Sequence, residues 1–144
     1  MRLEKGYRGW GADLTTERTP LESGLGALVK CEGRSFAGRD AMLERQASGK
    51  ASRMALLKIA DDGRALPFYN HTVWQDGRAV GVVTSGGYGF RMGIPLALAY
   101  LTPDAAAGSM TVKIIDRQLA AEELSEAPYD PLNRRPRGLA SGKE

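Results

Sequence analysis

Few residues in this 144-residue chain are of types that do chemistry, and their spacing rules out most of what they could do. Cys31 is the sole cysteine and His71 the sole histidine. No disulfide within the chain and no cysteine- or histidine-rich metal centre can be built from them. A Ser–His–Asp triad would have to use His71, which lies between Asn70 and Thr72 in an expected strand and reads as a hydrogen-bonded structural residue. Lys30 and Arg34 flank Cys31 and could favour its thiolate, but a plain thiol accounts for it equally well. The run Ser85-Gly86-Gly87-Tyr88-Gly89-Phe90 lacks the spacing and the following Lys-Ser/Thr of a phosphate loop, and reads as a wide turn between strands. The carboxylates are scattered, with no isolated pair for acid–base work. Asp13 and Glu22 read as capping or pairing groups.

The elements that would position these residues fall into two parts. Gly6, Gly9, Gly11, Pro20, Gly24 and Gly26 break the stretch from Arg2 to Lys30, so no long helix fits there. Asp13-Leu14-Thr15-Thr16-Glu17 and Thr19-Pro20-Leu21-Glu22 carry helix-entry signals. Gly38 to Gln46 reads as a helix stopped by Gly49. After Lys50 the pattern becomes that of strands. Met54 to Ile59 ends at Asp61-Asp62-Gly63, and His71 to Gln75 meets the hairpin signal Asp76-Gly77. Val80 to Thr84, Ile94 to Leu101, Met110 to Ile115 and Leu119 to Leu124 follow, the last two around Asp116-Arg117. The expected fold is α+β and mainly β: a small antiparallel barrel preceded by an arm with short helices. The expected divisions are an arm over 1–50, a barrel over 51–127 and an irregular basic tail over 128–144.

A hydrophobic share of 42% with 26% charged residues is that of a soluble globular protein. No run approaches the ~20 apolar residues of a membrane span. Met1-Arg2-Leu3-Glu4-Lys5 is no secretory signal, so a cytoplasmic protein is expected. The net charge of +3 draws on Arg134, Arg135, Arg137 and Lys143, which read as a frayed basic tail. The aromatics do not interleave with a basic stripe, which places nucleic acid last among possible partners.

Longer patterns carry a resemblance. Arg2-Leu3-Glu4-Lys5-Gly6-Tyr7-Arg8-Gly9-Trp10-Gly11-Ala12-Asp13-Leu14 followed by Thr19-Pro20-Leu21-Glu22-Ser23-Gly24-Leu25-Gly26 resembles the middle of the glycine-cleavage T-protein family. Its Lys-Gly-Tyr-Arg-x-Trp-Gly version is similar to the dimethylglycine and sarcosine dehydrogenase/oxidase branch. Phe36-Ala37-Gly38-Arg39-Asp40-Ala41, Gly81-Val82-Val83-Thr84-Ser85-Gly86-Gly87 and the strand Ile94 to Leu101 resemble later family motifs in the same order. The match runs from Arg2 to Pro131.

The resemblance implies a C-terminal module of an aminomethyltransferase or demethylating enzyme that transfers one-carbon units to tetrahydrofolate, with neither metal nor flavin in this chain. It implies folate-side roles for Arg2, Tyr7, Trp10 and Arg53, the last offering a planar fork for folate's carboxylate. Ala27 stands where some members carry tryptophan. The family's catalytic aspartate and its pteridine-clamping carboxylate lie upstream of the R-L-E-x-G motif and have no counterpart here, so inactivity of the isolated chain is expected. Expected partners are folate, the remaining half of such an enzyme, or a second copy, met through Leu3, Tyr7, Trp10, Leu21 and Leu25. Alternative readings are a non-catalytic binding or assembly module and, ranked lower, an iron–sulfur-assembly folate-binding protein. Tyr7 and Ala12 depart from the latter's K-G-C-[YF]-x-G-Q.

Overall fold

A computed structural model describes residues 1–61, 63–106 and 108–139. Asp62 and Lys143, both named above, lie outside the described residues. Six strands form a closed barrel: β1 (Arg53–Ile59), β2 (Thr72–Gln75), β3 (Arg78–Gly89), β4 (Ile94–Leu101), β5 (Met110–Ile114) and β6 (Arg117–Leu124). Their order around the wall is β1-β4-β3-β2-β5-β6, with every pairing antiparallel and β6 returning to β1. Closure removes the free edges that an open sheet of these short strands would present. Before the barrel come two 3₁₀ turns, Leu3–Lys5 and Gly26–Leu28, and the helix α1 (Arg39–Ala47). Among the described residues no helix is long and apolar enough to cross a membrane, and no cluster of His, Cys, Asp and Glu could hold a metal ion.

Period-two alternation puts Ala55, Leu57 and Ile59 of β1 inward, to meet Val73, Val83, Ala97, Ala99, Leu101, Met110 and Val112. Each large aliphatic side chain so buried contributes about 1.5–3 kcal/mol. The hairpin expected at Asp76-Gly77 is present, with positive φ at both residues (50° and 75°). Strand β4 departs from alternation, because Pro95 through Leu101 are all buried. Ala97, Ala99 and Leu101 face the core, while Leu96, Leu98 and Tyr100 lie on the outer face and are covered. The cover is the N-terminal arm, whose Leu3–Lys5 turn packs on β3 and β4.

Three local expectations are corrected. The glycine-rich segment is no turn: Ser85 to Gly89 continues β3, paired with Leu98 to Ile94. Two glycines of β3 serve close approach, since a Cβ on Gly86 would sit 2.2 Å from the Pro67 carbonyl oxygen and one on Gly81, earlier in the strand, 2.5 Å from that of Tyr100. The helix-entry signals at 13–22 start no helix. Thr19 and Glu22 do exchange the reciprocal bonds of a capping box, the Glu22 amide to Thr19 Oγ1 (3.2 Å) and the Thr19 amide to Glu22 Oε2 (2.9 Å), but around a single closed turn. The described start of the basic tail is pinned at Asp130 and Asn133 rather than frayed. Lys5 Nζ bonds Asp130 (2.8 Å) and the Tyr7 hydroxyl bonds Asn133 (2.8 Å).

A Gly86→Ala substitution is therefore expected to lower the free energy of unfolding by about 2 kcal/mol or more, as overpacking against backbone does. Urea denaturation followed by circular dichroism measures it, and a loss no larger than that of a surface Gly→Ala change would contradict the packing described.

Candidate ligand-binding site

The arm is held on the barrel by one carboxylate. Asp13 is fully buried. Its Oδ1 accepts from the hydroxyls of Thr84 and Ser85, both at 2.6 Å, and its Oδ2 from the Gly9 amide and Arg2 Nη1, both at 2.7 Å. Neighbouring residues of a regular strand point to opposite faces, so two consecutive hydroxyls reaching one oxygen need an irregularity. The register of β3 against β4 shifts between Val83 and Ser85, skipping Thr84: a β-bulge re-aims the pair toward Asp13. The backbone of the same residue is also engaged, for the Tyr100 hydroxyl donates to the Asp13 carbonyl (2.9 Å) while accepting from Ser23 Oγ (2.7 Å). Burial alone would raise the pKa of Asp13. The bonds from Ser85, Thr84 and Gly9 and the charge of Arg2 outweigh it and hold the group below its ordinary value.

Arg2 gains its orientation from this arrangement. Its Nη1 spans Asp13 and the Tyr7 carbonyl (2.8 Å), and Nε and Nη2 have no partner among the described residues. The guanidinium is half-exposed. The loop that Asp13 anchors also displays Trp10, 77% exposed, and Tyr7, 48% exposed. Three of the four residues named above as folate-side candidates thus belong to one short, rigidly held segment. Arg53 does not join them, because its fork is occupied by Glu123 of β6, with Nη2 to Oε2 at 2.8 Å. That pair fastens β1 to β6 where the barrel closes.

A second buried carboxylate fixes the other end of the arm. Glu22 receives Arg45 bidentately (2.9 and 3.0 Å), the Thr19 hydroxyl (3.0 Å) and Ser52 Oγ (3.2 Å), and its carbonyl accepts from the Met54 amide (2.8 Å). Leu3, Leu21 and Leu25, expected to be exposed with Tyr7 and Trp10, are partly covered instead, because the arm lies along its own barrel. His71 is the hydrogen-bonded structural residue expected: its Nδ1 accepts the Phe68 amide (3.0 Å). Asp13 is a pairing group as expected, through Arg2, but the parts of Thr84, Ser85 and Tyr100 in holding it were missed by sequence reasoning. The one local signal was a Thr-Ser pair inside a strand, at odds with an alternating apolar face.

The family model for the glycine cleavage T-protein C-terminal barrel domain matches residues 53–130, more than half of the chain. The chain belongs to this T-protein barrel family. Mouse mitochondrial sarcosine dehydrogenase is 28% identical over 96% of the chain, and the aminomethyltransferase of Halothermothrix orenii is 32% identical over 90%. The crystal structure of glycine cleavage system aminomethyltransferase T from Bartonella henselae superposes with a TM-score of 0.75 over 88% of the chain, at 26% identity. The chain spans 16% of the sarcosine dehydrogenase, 36% of the Halothermothrix enzyme and 36% of the Bartonella chain. The T-protein barrel is thus one part of each of these longer proteins.

Two outcomes follow from the buried carboxylates. Asp13→Asn is expected to destabilise the chain by about 3 kcal/mol, since it leaves hydroxyl and amide donors competing for a neutral amide and strips Arg2 of its counter-charge. Urea unfolding followed by circular dichroism checks it. For Glu22, burial would raise the pKa, but bonds from Arg45 and Thr19 and the Arg45 charge lower it from 4.5 to about 2. A depressed carboxylate pKa gives stability that is full above the unfolded value and is lost as protons bind the folded state. Stability should therefore fall between pH 4.5 and about 2, and Glu22→Gln should flatten that part of the profile. An unchanged slope in the variant would show that Glu22 does not carry it.

Proposed function

We propose that this chain is the C-terminal part of a tetrahydrofolate-dependent one-carbon enzyme, its arm forming one wall of the folate site and its barrel supporting that wall. The observation that carries the reading is the state of Arg2: one guanidinium nitrogen fixed by Asp13 and the Tyr7 carbonyl, the remaining edge without a partner among the described residues, with Trp10 and Tyr7 exposed on the same loop. A fixed cation beside aromatic surface suits a planar ligand that carries carboxylates. Tetrahydrofolate, when bound, supplies the nucleophilic nitrogen that takes up the one-carbon unit. This chain's share is binding and orientation. Arg2 sets the position of an anionic group, Tyr7 and Trp10 cover an apolar face and exclude water, and Asp13 keeps all three in place through β3. Arg53, held by Glu123, is left to a structural part.

On this reading the transfer chemistry belongs to residues outside the chain, and the amine substrate is of the kind named for the relatives, an aminomethyl carrier or a methylated glycine. Division into arm, barrel and tail near residues 50 and 127, residence in the cytoplasm and pairing with the remainder of such an enzyme belong to the same proposal.

The test is product formation from tetrahydrofolate with dimethylglycine, sarcosine or an aminomethylated carrier, using the isolated chain and a longer enzyme whose equivalent segment is replaced by it. The isolated chain is expected to be inactive; turnover within about a hundredfold of the longer enzyme would refute the division of labour. In the chimaera, Arg2→Ala with Trp10→Ala should raise the KM for tetrahydrofolate about tenfold or more, as removal of binding contacts does. An unchanged KM would remove this loop from the folate site.

A further inference from the structure

Arg8 is a partly buried cation of the arm that the fold leaves without an acidic partner among the described residues. Its guanidinium makes a single hydrogen bond, Nη1 to the Gly6 carbonyl (3.1 Å). Its Nε is buried without an acceptor. The side chain is nonetheless held in place, for Nη2 lies against Gly24, where a Cβ would come within 2.6 Å of it. Buried donors without an acceptor are rare in folded proteins, and one on a cation rarer still. Arg8 also lines a cavity of about 290 Å³ between the arm, the start of β1 and the segment that follows β6. Met54, Leu56, Leu98 and Leu124 give this cavity apolar walls. Two other charges of its lining are already matched, Lys5 by Asp130 and Glu123 by Arg53. Glu126 remains, exposed and without a cationic partner among the described residues.

The lining therefore holds one cation without an acidic partner and one anion without a cationic partner among the described residues, together with aliphatic side chains. We propose that the cavity is a binding site for a small zwitterion, an unbranched amino acid whose carboxylate meets Arg8 and whose ammonium meets Glu126. Such a ligand meets both charges without leaving a net charge in the crevice, whereas a simple anion would face Glu126 and a simple amine would face Arg8. Arg8 lies in the same segment as Arg2, Tyr7 and Trp10, but neither Arg8 nor Glu126 is used in the folate reading, and the Glu126 variant in the test separates the two.

Glycine, β-alanine, γ-aminobutyrate and δ-aminovalerate form a series that measures the separation of the two charges. Each is titrated into the full chain while the Arg8 Nε–H resonance, assigned through Arg8→Lys, is followed by NMR. One member is expected to bind saturably, with acetate and butylamine at least about tenfold weaker. Glu126→Gln, an exposed change that keeps the fold, should cost the zwitterion about tenfold and leave acetate no weaker. Melting curves identify an Arg8 variant that fails to fold, in which case Glu126→Gln and the ligand series decide alone. The proposal is overturned if no member of the series moves the Arg8 resonance at about 50 mM, well beyond a useful dissociation constant. It is equally overturned if acetate binds as well as the best amino acid, or if Glu126→Gln is without effect.

Discussion

The placement of Arg2 and of the Trp10 loop over β3 and β4 depends on a single buried carboxylate meeting a bulge. Without the extra residue in β3, Thr84 and Ser85 would point to opposite faces and Asp13 would lose one of its two hydroxyl donors. Without Asp13, the arm would keep contacts through Glu4, whose carboxylate takes the Arg91 and Met92 amides (2.7 and 3.1 Å), and through Glu22. The loop between those two anchors would be loose, and it is the loop that carries Trp10 and aims Arg2. Charge is central to the arrangement, because a neutral group could not satisfy two hydroxyls, an amide and a guanidinium together. The pKa of Asp13, lowered despite complete burial, expresses the same balance.

Much of the barrel was legible because its physics is local. Alternation in β1, the Asp-Gly hairpin between β2 and β3 and the apolar run of β4 are each written within a few consecutive residues. The glycines of β3 were misread for a physical reason: a cluster of glycines signals a turn when its use is positive φ, but Gly81 and Gly86 serve backbone approach from Tyr100 and Pro67, which only the folded chain supplies. Thr19-Pro20-Leu21-Glu22 misled in the opposite way. Its capping bonds form as the motif requires, yet Glu22 is also claimed by Arg45 and Ser52, and the chain turns away after one turn. The candidate site was legible only through family resemblance. Neither the Asp13 to Thr84 bond nor the Arg53 to Glu123 bond leaves a trace in local spacing, since their partners are 71 and 70 residues apart.

The aromatic and basic surface differs from what the sequence suggested. Tyr129, in the tail, has Lys5, Arg91 and Arg135 within 5.9, 5.3 and 5.7 Å of its ring. Folding gathers these cations from the arm, the β3–β4 connection and the tail, three segments with nothing in common along the chain. What reads as a scatter of basic residues becomes one cationic surround of an aromatic ring. The tail is accordingly part of the packed structure as far as it is described.

The 71-residue reach of Asp13 also sets an order of events. Hairpins such as β2–β3 and β5–β6 close short loops and can form early, whereas a contact across half the chain must wait until its target strand exists. Closure of the barrel by β1 and β6 joins residues almost as far apart, Leu57 with Glu123, so the chain carries two long-range closures, one within the wall and one that lays the arm across it.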